Sequence, residues 1–506
     1  MKKIKNNITL LNTITSILLQ IITIISGFVI PRLILKTFGS DVNGLVSSLN
    51  QFLNYIALIE GGITGVVMAS LYKPLYKKDI KKVSSIVQTT KKFYKKIALF
   101  FVAYTIILAI AYPLIFDTGF SFGYVSSLTI ILSIKLFLQY MFSLSLKTLL
   151  NADKKVYVVS ITQIVLVIVD MLLFAIIIQF WKSIHVLKLI SAGVYILQPV
   201  IFNYFVNKYF ALDEKAEENK ELLKNRWNGF AINIAAFIHG NTDVAVLTYF
   251  ANLATVSVYS VYSLVTTGLK SIISAISTGI TPSLGHLYAK GDMKELNEKF
   301  DLIEYMYFLI VFFFFSVGTV CITPFVLVYT KGIVDANYNQ YLFGIILLLA
   351  EGIFTIRGPY VNLAYAANKF KEIRLCAYIE AFLNIVISII LVRSFGLIGV
   401  AIGTLMSMMF RTFYQVWFLK KHILNRPLIK FIKKVLLFGL TAILGFIICV
   451  AVTNPIFAIN NVYSWILGAC VTSFIYGILY ISLCILMYKN ETRYYFDYFK
   501  TILKRK

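Results

Sequence analysis

Charged residues are scarce in this chain, and few of them are acidic. Asp and Glu number 23 among 506 residues against 48 Lys and Arg, so the formal net charge is +25 and only 14% of the residues are charged. A soluble domain carries about 25% charged and about 45–50% apolar residues, whereas this chain is 59% hydrophobic. Proline (9) and glycine (27) are too few for a collagen-like or proline-rich disordered chain. The composition excludes a soluble protein, including a soluble nucleic-acid-binding protein, and indicates a polytopic membrane protein.

Signatures of cofactor chemistry are missing as well. The five cysteines all lie in predicted helices and have neither metal-ligand nor redox spacing. No Gly-x-x-x-x-Gly-Lys-Ser/Thr motif for nucleotide phosphates occurs. We therefore expect no cofactor, no metal site and no drive by ATP hydrolysis.

Long hydrophobic runs fill most of the sequence. A spanning helix needs about 20 apolar residues. Fourteen stretches meet that requirement: 9–35, 43–72, 96–116, 122–148, 157–180, 185–208, 229–251, 254–285, 305–329, 338–366, 376–394, 397–420, 432–453 and 462–488. An even number of helices places both termini on the same side of the membrane.

Basic residues divide unevenly between the two sides that this topology defines. Of the 48 Lys and Arg, 38 fall in the set of alternate loops that includes both termini, and 4 fall in the opposite set. The positive-inside rule makes the rich side cytoplasmic, so we expect a multi-pass protein of the cytoplasmic membrane with both termini inside. Its basic charge then meets the headgroups of membrane lipids rather than nucleic acid. The outer loops are too short for a catalytic domain, which predicts that the chain is not an enzyme.

Two segments resemble each other at a spacing of about 213 residues. The segment from Phe38 (FGSDVNGLVSSLNQF…LYKPLYKKD) and the segment from Phe250 (FANLATVSVYSVYSL…LYAKGD) share a short turn, a Ser-rich helix, a Leu-Tyr pair and an Asp. Chance similarity is the alternative interpretation. Six helices separate the matched points, so the halves keep one orientation and are expected to be related by a pseudo-two-fold axis along the membrane normal.

The repeat defines the predicted fold class and domains. We expect an all-α polytopic membrane protein with two six-helix bundles and two further C-terminal helices. The N-terminal bundle is assigned to residues 1–210, a cytoplasmic linker to 211–228, the C-terminal bundle to 229–425, and helices 13 and 14 with the tail to 426–506.

A polar stripe along the eighth predicted helix is the most informative local pattern. Ser263, Lys270, Ser274 and Thr281 belong to a series with steps of 3 and 4 residues, with the lysine at its centre, so they share one helix face. A lysine at mid-membrane costs about 2.5–3.5 kcal/mol on insertion scales and is expected to face a cavity or a partner. Helix–helix packing is the other interpretation of such hydroxyl residues.

Other predicted helices also carry polar and charged residues at membrane depth. This distribution suggests two bundles around a shared hydrated cavity. Lys135, Gln139, Ser143 and Lys147 follow one another at a strict spacing of 4. The residues predicted to bind substrate are Lys270, Lys135, Arg357, Arg32, Gln139, Asn50, Asn54 and Ser274, and those predicted to couple transport to an ion are Asp243, Glu60 and Glu351. Arg32 lies near a helix end, where snorkelling is the alternative. Asp243 could instead be a counter-charge for the substrate or a partner for Arg32. Glu60 could instead form a structural pair.

The sequence resembles the Wzx-type polysaccharide flippases of the multidrug/oligosaccharidyl-lipid/polysaccharide (MOP) exporter superfamily. The resemblance lies in residues 38–83, in the plan of six, six and two helices, and in an Asp late in the seventh helix (Asp243). The resemblance implies a bacterial protein that moves undecaprenyl-diphosphate-linked oligosaccharide units across the membrane by alternating access. It also implies a cationic cavity, which Lys135, Lys270 and Arg357 would supply. The glycan polymerase and the glycosyltransferases of the same glycan are the implied partners.

Two other functions in the same superfamily remain open. A multidrug cation antiporter is one, although its relatives usually stop at twelve helices and carry acidic cation sites. A flippase for the lipid precursor of peptidoglycan is the other, and it is similar in having fourteen helices. Transport would be driven by a proton or sodium gradient or by the membrane potential.

Overall fold

The structure is a computed structural model that describes residues 2–60, 63–219, 241–277, 280–367, 369–424 and 426–504. Throughout these ranges the regular secondary structure is helical, and no strand occurs in them. Two compact units are present, Met1–Ser257 and Val258–Lys506, here called the N-terminal and the C-terminal unit. The predicted all-α fold class is thus confirmed, whereas the sequence-derived domain limits stay predictions.

Helices of the N-terminal unit follow one another with short connections. They are α1 (Lys2–Asn54), α2 (Ala57–Glu60), α3 (Ile63–Lys77), α4 (Ile80–Ile115), α5 (Phe122–Leu138), a π-helical turn (Gln139–Ser143), α6 (Leu144–Ala152), α7 (Val156–Phe180), α8 (Ile184–Val194), α9 (Leu197–Tyr209) and α10 (241–250), and α11 (Leu253–Ser277) begins there. The predicted linker 211–228 and the predicted seventh helix 229–251 lie largely outside the described residues.

The C-terminal unit contains the rest of α11 and eight further helices within the described ranges. They are α12 (Ile280–Lys290), α13 (Met293–Tyr329), α14 (Tyr341–Ile356), α15 (Gly358–Ala366), α16 (Phe370–Leu419), α17 (Ile429–Phe457), α18 (Val462–Met487) and α19 (Lys489–Lys504), with a π-helical turn at Lys420–Leu424 after α16.

Eleven helical segments of the described chain are long and apolar enough to cross a membrane. Two of them, Leu10–Asn54 and Glu372–Leu424, contain 45 and 53 residues, far more than the roughly 20 that one crossing needs. Each is interrupted at a glycine with positive φ, Gly39 (83°) and Gly396 (53°), close to where the sequence predicts a loop between two spans. The count of fourteen spans stays a prediction, because most of the seventh lies outside the described residues.

The internal repeat reappears in the way two long helices begin. Asp79 caps α4 by accepting a hydrogen bond from the amide of Lys82 (3.0 Å), and Asp292 caps α13 through the amide of Glu295 (3.0 Å). The residue before each cap has positive φ, 55° at Lys78 and 78° at Gly291. An aspartate satisfies the free amides of a helix start. The two matched Lys-Asp and Gly-Asp steps therefore perform the same local task in the two units.

The break at Gly39 can be tested by substitution. Its φ of 83° and ψ of −178° belong to a region open essentially to glycine alone, so Gly39→Ala is expected to cost on the order of 1–3 kcal/mol. Thermal unfolding of the purified chain in detergent measures the change. Gly65→Ala is the control, because Gly65 lies in helix α3 with no atom within 4 Å of an added Cβ. It should leave the melting temperature unchanged or raise it. Equal melting temperatures for both variants would contradict the account.

Candidate functional site

A polar cavity of about 360 Å³ lies inside the N-terminal unit. Helices α1, α5, α7 and α8 supply its walls, and its charged or aromatic lining residues are Lys135, Asp170, Lys188 and Tyr195. Asn50, Thr23, Ser26 and Ser191 add amide and hydroxyl groups. We call this cavity the lysine pocket. Of the residues predicted to bind substrate, the structure thus brings Lys135 and Asn50 to one site.

The lysine pocket holds two ammonium groups that pair with no carboxylate within 4.0 Å among the described residues. The Nζ of Lys135 lies 3.5 Å from the centroid of the Tyr195 ring, and the Nζ of Lys188 lies 5.3 Å from that of Phe174. An aromatic face attracts a cation by about 0.5–2 kcal/mol, which is weaker than a close ion pair at membrane depth. These two lysines are therefore available to an anion.

Asp170 is the carboxylate of the pocket. It is 8% exposed, and its Oδ1 has no hydrogen-bond partner in the described part of the chain. With Lys135 and Lys188 it gives the pocket a net charge of +1. No spacing in the sequence links Asp170 or Lys188 to Lys135, because each lies in a different predicted helix. Only the packing of α7 against α8 shows that they share a cavity with Lys135.

Glu60 occupies a second polar site in the same unit. Its carboxylate accepts hydrogen bonds from Thr64 (2.8 Å), Tyr140 (3.2 Å) and Tyr94 (3.5 Å). The Thr64 and Tyr94 hydroxyl groups also lie 2.7 Å apart, so the three hydroxyl groups and the carboxylate form one hydrogen-bonded cluster. Glu60 thus has structural partners, as one interpretation of the sequence expected, and these partners are hydroxyl groups. The role of Glu60 in ion coupling stays a prediction.

The π-helical turn at Gln139–Ser143 carries Tyr140 to Glu60 and changes the stripe predicted on the fourth helix. A π turn contains one residue more than an α turn, so it rotates the following side chains by about 100° relative to a regular helix. Lys135 lies before the turn, whereas Lys147 lies after it. The strict spacing of 4 therefore does not define one continuous face, and Gln139 does not line the lysine pocket.

Several polar residues of the second predicted helix serve packing. Asn43 donates to Ser257 (2.8 Å), and Ser48 bonds Thr248 (2.7 Å) and Tyr112 (2.7 Å). The backbone approaches closely here, since a Cβ at Gly44 would meet the carbonyl of Leu253.

The remaining candidates of the N-terminal unit lie apart from the lysine pocket. Asn54 is exposed, Arg32 is half-buried, and Asp243 is 4% exposed in α10. His239, noted in the sequence beside Asp243, lies outside the described residues. The roles predicted for Asn54, Arg32 and Asp243 stay predictions.

In the C-terminal unit, Lys270 is paired with a carboxylate. Its Nζ donates to Oε1 of Glu351 on α14 at 2.7 Å, with the lysine side chain 31% exposed and the glutamate side chain 11%. The second oxygen, Oε2, has no hydrogen-bond partner among the described residues. The partner expected for an intramembrane lysine is therefore Glu351. Ser274, predicted on the same stripe, is exposed and donates to the carbonyl of Ser271 in its own helix.

Arg357 belongs to a buried network of three charges. It donates to Oε1 of Glu380 (2.6 Å), and Arg411 donates to Oε2 of the same carboxylate. Glu380 is 0% exposed and Arg357 4%. Phe354 lies between this network and Lys270, with its ring centroid 4.5 Å from the Arg357 guanidinium carbon and 5.7 Å from Lys270 Nζ. Arg411, in the predicted helix 397–420, is thus a structural partner of Glu380.

An apolar cavity of about 390 Å³ lies among α13, α14, α17 and α18 of the C-terminal unit. Phe312, Phe315, Leu349, Ile443 and Phe446 are among its lining residues, which are almost entirely hydrocarbon. Two of the four helices, α17 and α18, are the pair that the sequence places beyond the internal repeat. The cavity is suited to a hydrocarbon chain, because little in its wall can bind a polar group.

Eleven helices of the described chain are long and apolar enough to span a membrane, and polar sites lie among them. These features define a multi-pass membrane protein. Comparison with known families identifies its kind. The family model described as "Lipid II flippase MurJ" matches residues 49–471. The chain belongs to this family, whose members are transporters, so the expectation of a protein that is not an enzyme is confirmed.

Solved structures agree with this assignment at the level of the fold. A lipid II flippase MurJ in an inward closed conformation is 17% identical, with a TM-score of 0.66, and the match covers 94% of this chain and 99% of that one. An inward-facing multidrug resistance MATE family transporter of the MOP superfamily is 13% identical, with a TM-score of 0.60. This match covers 81% of this chain and 99% of that one. The predicted MOP-type fold is thereby confirmed.

A curated relative matches part of the chain. It is an uncharacterized membrane protein of Methanocaldococcus jannaschii, 25% identical over 243 residues, which are 45% of this chain and 46% of the relative. The match thus spans less than half of the relative's length, and its name carries no information on substrate.

The buried network at Glu380 yields a prediction for stability. Glu380→Gln leaves two buried guanidinium groups without their shared carboxylate, and removing one partner from a buried ion pair costs about 3–5 kcal/mol. The melting temperature in detergent should fall markedly. Glu372→Gln is the matched control on the same helix, since Glu372 forms an exposed pair with Lys369 (3.1 Å) and exposed pairs contribute little. An equal fall in melting temperature in the two variants would contradict a stabilising role for the Glu380 network.

Proposed function

We propose that this chain is a flippase that moves a polyprenyl-diphosphate-linked saccharide of the lipid II type across the cytoplasmic membrane. The observation that carries the proposal is the family match over residues 49–471. The peptidoglycan precursor, one of the alternatives drawn from the sequence, is thereby favoured over the Wzx-type repeat unit.

Two cavities support a substrate with a charged head and a hydrocarbon tail. The lysine pocket offers Lys135 and Lys188 to the diphosphate, because charge-assisted hydrogen bonds from ammonium groups are the strong contacts for phosphate oxygens. Asp170 is placed to accept a hydrogen bond from a hydroxyl group of the head. The apolar cavity of the C-terminal unit suits a segment of the polyprenyl chain.

Lys270 and Arg357 remain proposed substrate ligands, but each must first leave a carboxylate. Lys270 would exchange Glu351 for a phosphate oxygen, and its exposure of 31% makes this feasible without disturbing the core. Arg357 shares Glu380 with Arg411 and is 4% exposed, so its release requires a larger rearrangement. We therefore rank Lys135 first, Lys270 second and Arg357 last.

The pair of Lys270 and Glu351 also offers a means of ion coupling. Protonation of Glu351, whose Oε2 has no partner among the described residues, removes the charge that holds Lys270 and leaves the ammonium for the substrate. Asp243 and Glu60 remain proposed as further coupling residues. Arg32, Gln139, Asn50, Asn54 and Ser274 remain proposed as polar contacts for the sugar and peptide parts of the head.

The distribution of Lys and Arg supports an orientation with both termini in the cytoplasm. Substrate would then be loaded from the cytoplasmic leaflet and released in the outer leaflet by alternating access. The enzymes that build the lipid-linked precursor and those that polymerise it outside would be functional partners. An undecaprenyl-diphosphate-linked oligosaccharide is the second candidate substrate, because residues 38–83 resemble the Wzx-type flippases.

Transport into proteoliposomes tests the proposed function. Purified chain should move fluorescent lipid II between leaflets faster than protein-free vesicles do, and more efficiently than an undecaprenyl-diphosphate oligosaccharide. It should also restore growth to a strain depleted of its own lipid II flippase. Faster movement of the oligosaccharide would identify a Wzx-type flippase. Uptake of a cationic dye without movement of either lipid would contradict flipping and favour a multidrug antiporter.

Substitutions in the lysine pocket test the proposed site. Lys135→Ala should lower the rate of lipid II movement at least tenfold, because hydrogen bonds to charged groups contribute about 1.5–3 kcal/mol. Lys135→Arg should retain more activity. Lys182→Ala, at an exposed position between α7 and α8, is the control and should behave as the unmodified chain. Full transport by Lys135→Ala at equal protein level would remove this residue from the site.

A further inference from the structure

The last helix of the chain has the character of a membrane-surface helix. Helix α19 begins at Lys489, and only Tyr488 separates it from the end of α18 at Met487, so it starts where the final span leaves the bilayer. With 100° per residue, Lys489, Arg493 and Lys500 fall within an arc of about 40°, and all three are exposed. Phe496 lies beside this basic stripe and is 69% exposed. Basic residues next to an exposed aromatic ring are typical of a helix in the headgroup region.

Side chains of α19 outside the basic stripe contact α13. The hydroxyl groups of Thr492 and Tyr305 are 2.9 Å apart, and the rings of Tyr305 and Tyr495 stack with centroids 6.4 Å apart. Lys299 Nζ donates to the Tyr494 hydroxyl at 2.9 Å and lies 4.8 Å from the centroid of that ring. These contacts fix the orientation of α19, so the basic stripe and Phe496 keep a defined direction.

A cavity of about 530 Å³ opens between α19 and the helices α12 and α13. Its lining combines a cation, an imidazole and phenol groups with aliphatic side chains, and it consists of His286, Leu287, Lys299, Leu302, Ile303, Tyr494 and Tyr495. Among the described residues, no carboxylate is part of this lining. We call it the C-terminal pocket.

Two acidic residues near the start of α13, Glu295 and Asp301, pair with basic residues outside the C-terminal pocket. Glu295 pairs with Lys290, and Asp301 pairs with Arg426 and Lys430, each at 2.9 Å. Lys299 has no carboxylate within 4.0 Å in the described part of the chain. Its ammonium group can therefore donate to a phosphate while it keeps its bond to Tyr494.

We propose that the C-terminal pocket binds an anionic phospholipid of the surrounding bilayer. The phosphate accepts a hydrogen bond from Lys299 and contacts Tyr494 and His286, and the upper acyl chain packs on Leu287, Leu302 and Ile303. A soluble phosphate would use only the polar side of this lining, whereas a lipid uses both sides. Because α19 follows a membrane span directly, the pocket lies at the depth of lipid headgroups, where each basic residue attracts anionic lipid by about 1 kcal/mol.

Lipid binding to the purified full chain tests this proposal. Native mass spectrometry and thermal unfolding in detergent are measured with phosphatidylglycerol, with phosphatidylcholine and with inorganic phosphate. We expect phosphatidylglycerol to bind and to raise the melting temperature, and the other two to have no comparable effect. Lys299→Ala should weaken phosphatidylglycerol binding about fivefold, the equivalent of one surface cation. Lys294→Ala, at an exposed position of α13 outside the pocket, should leave it unchanged.

Tyr494→Phe provides a second variant that keeps the ring and its packing. It removes the hydroxyl that orients Lys299, so it should weaken phosphatidylglycerol binding less than Lys299→Ala does. Equal binding of phosphatidylglycerol by the unmodified chain, Lys299→Ala and Tyr494→Phe would overturn the proposal. If phosphatidylcholine bound as well as phosphatidylglycerol and raised the melting temperature as much, the proposal would also be overturned. The same result with inorganic phosphate would identify a site for free phosphate instead of lipid.

Discussion

The neutralisation of charge at membrane depth constrains this structure more than any other interaction. A charged side chain in hydrocarbon is costly unless it has a partner, and Glu380 meets this demand for both Arg357 and Arg411. Lys270 meets it with Glu351. Lys270 and Glu351 join α11 to α14. Glu380 joins Arg357, between α14 and α15, to Arg411 in the part of α16 that follows Gly396. Charges that the sequence presents as binding residues are thus, in this conformation, also part of the architecture.

The lysine pocket departs from this pattern, which is why it is the favoured site for an anion. Lys135 and Lys188 are held by aromatic rings and by the general field of Asp170 instead of by a close ion pair. The proposed diphosphate would supply the missing negative charge and hydrogen-bond acceptors. A carrier must also release its substrate, and Asp170 keeps the net positive charge of the pocket at one. Moderate attraction of this kind suits transport better than a site with several unopposed cations.

Much of the fold could be predicted from the sequence because the bilayer imposes a length and a polarity on each helix. The long apolar runs, the breaks near Gly39 and Gly396 and the start signals at Asp79 and Asp292 all follow from local rules. The site was less predictable, because partners such as Glu380 for Arg357 lie on different helices and no spacing in the sequence links them. The π-helical turn at Gln139–Ser143 shows a second limit, since one extra residue in a turn changes which side chains share a face.

The position of the substrate's diphosphate decides the central claim. A structure of the full chain with bound lipid II, determined by electron cryo-microscopy in nanodiscs, would locate it directly. The account predicts phosphate oxygens within hydrogen-bond distance of the Nζ atoms of Lys135 and Lys188. A diphosphate bound elsewhere, with the lysine pocket empty or filled by water alone, would contradict it.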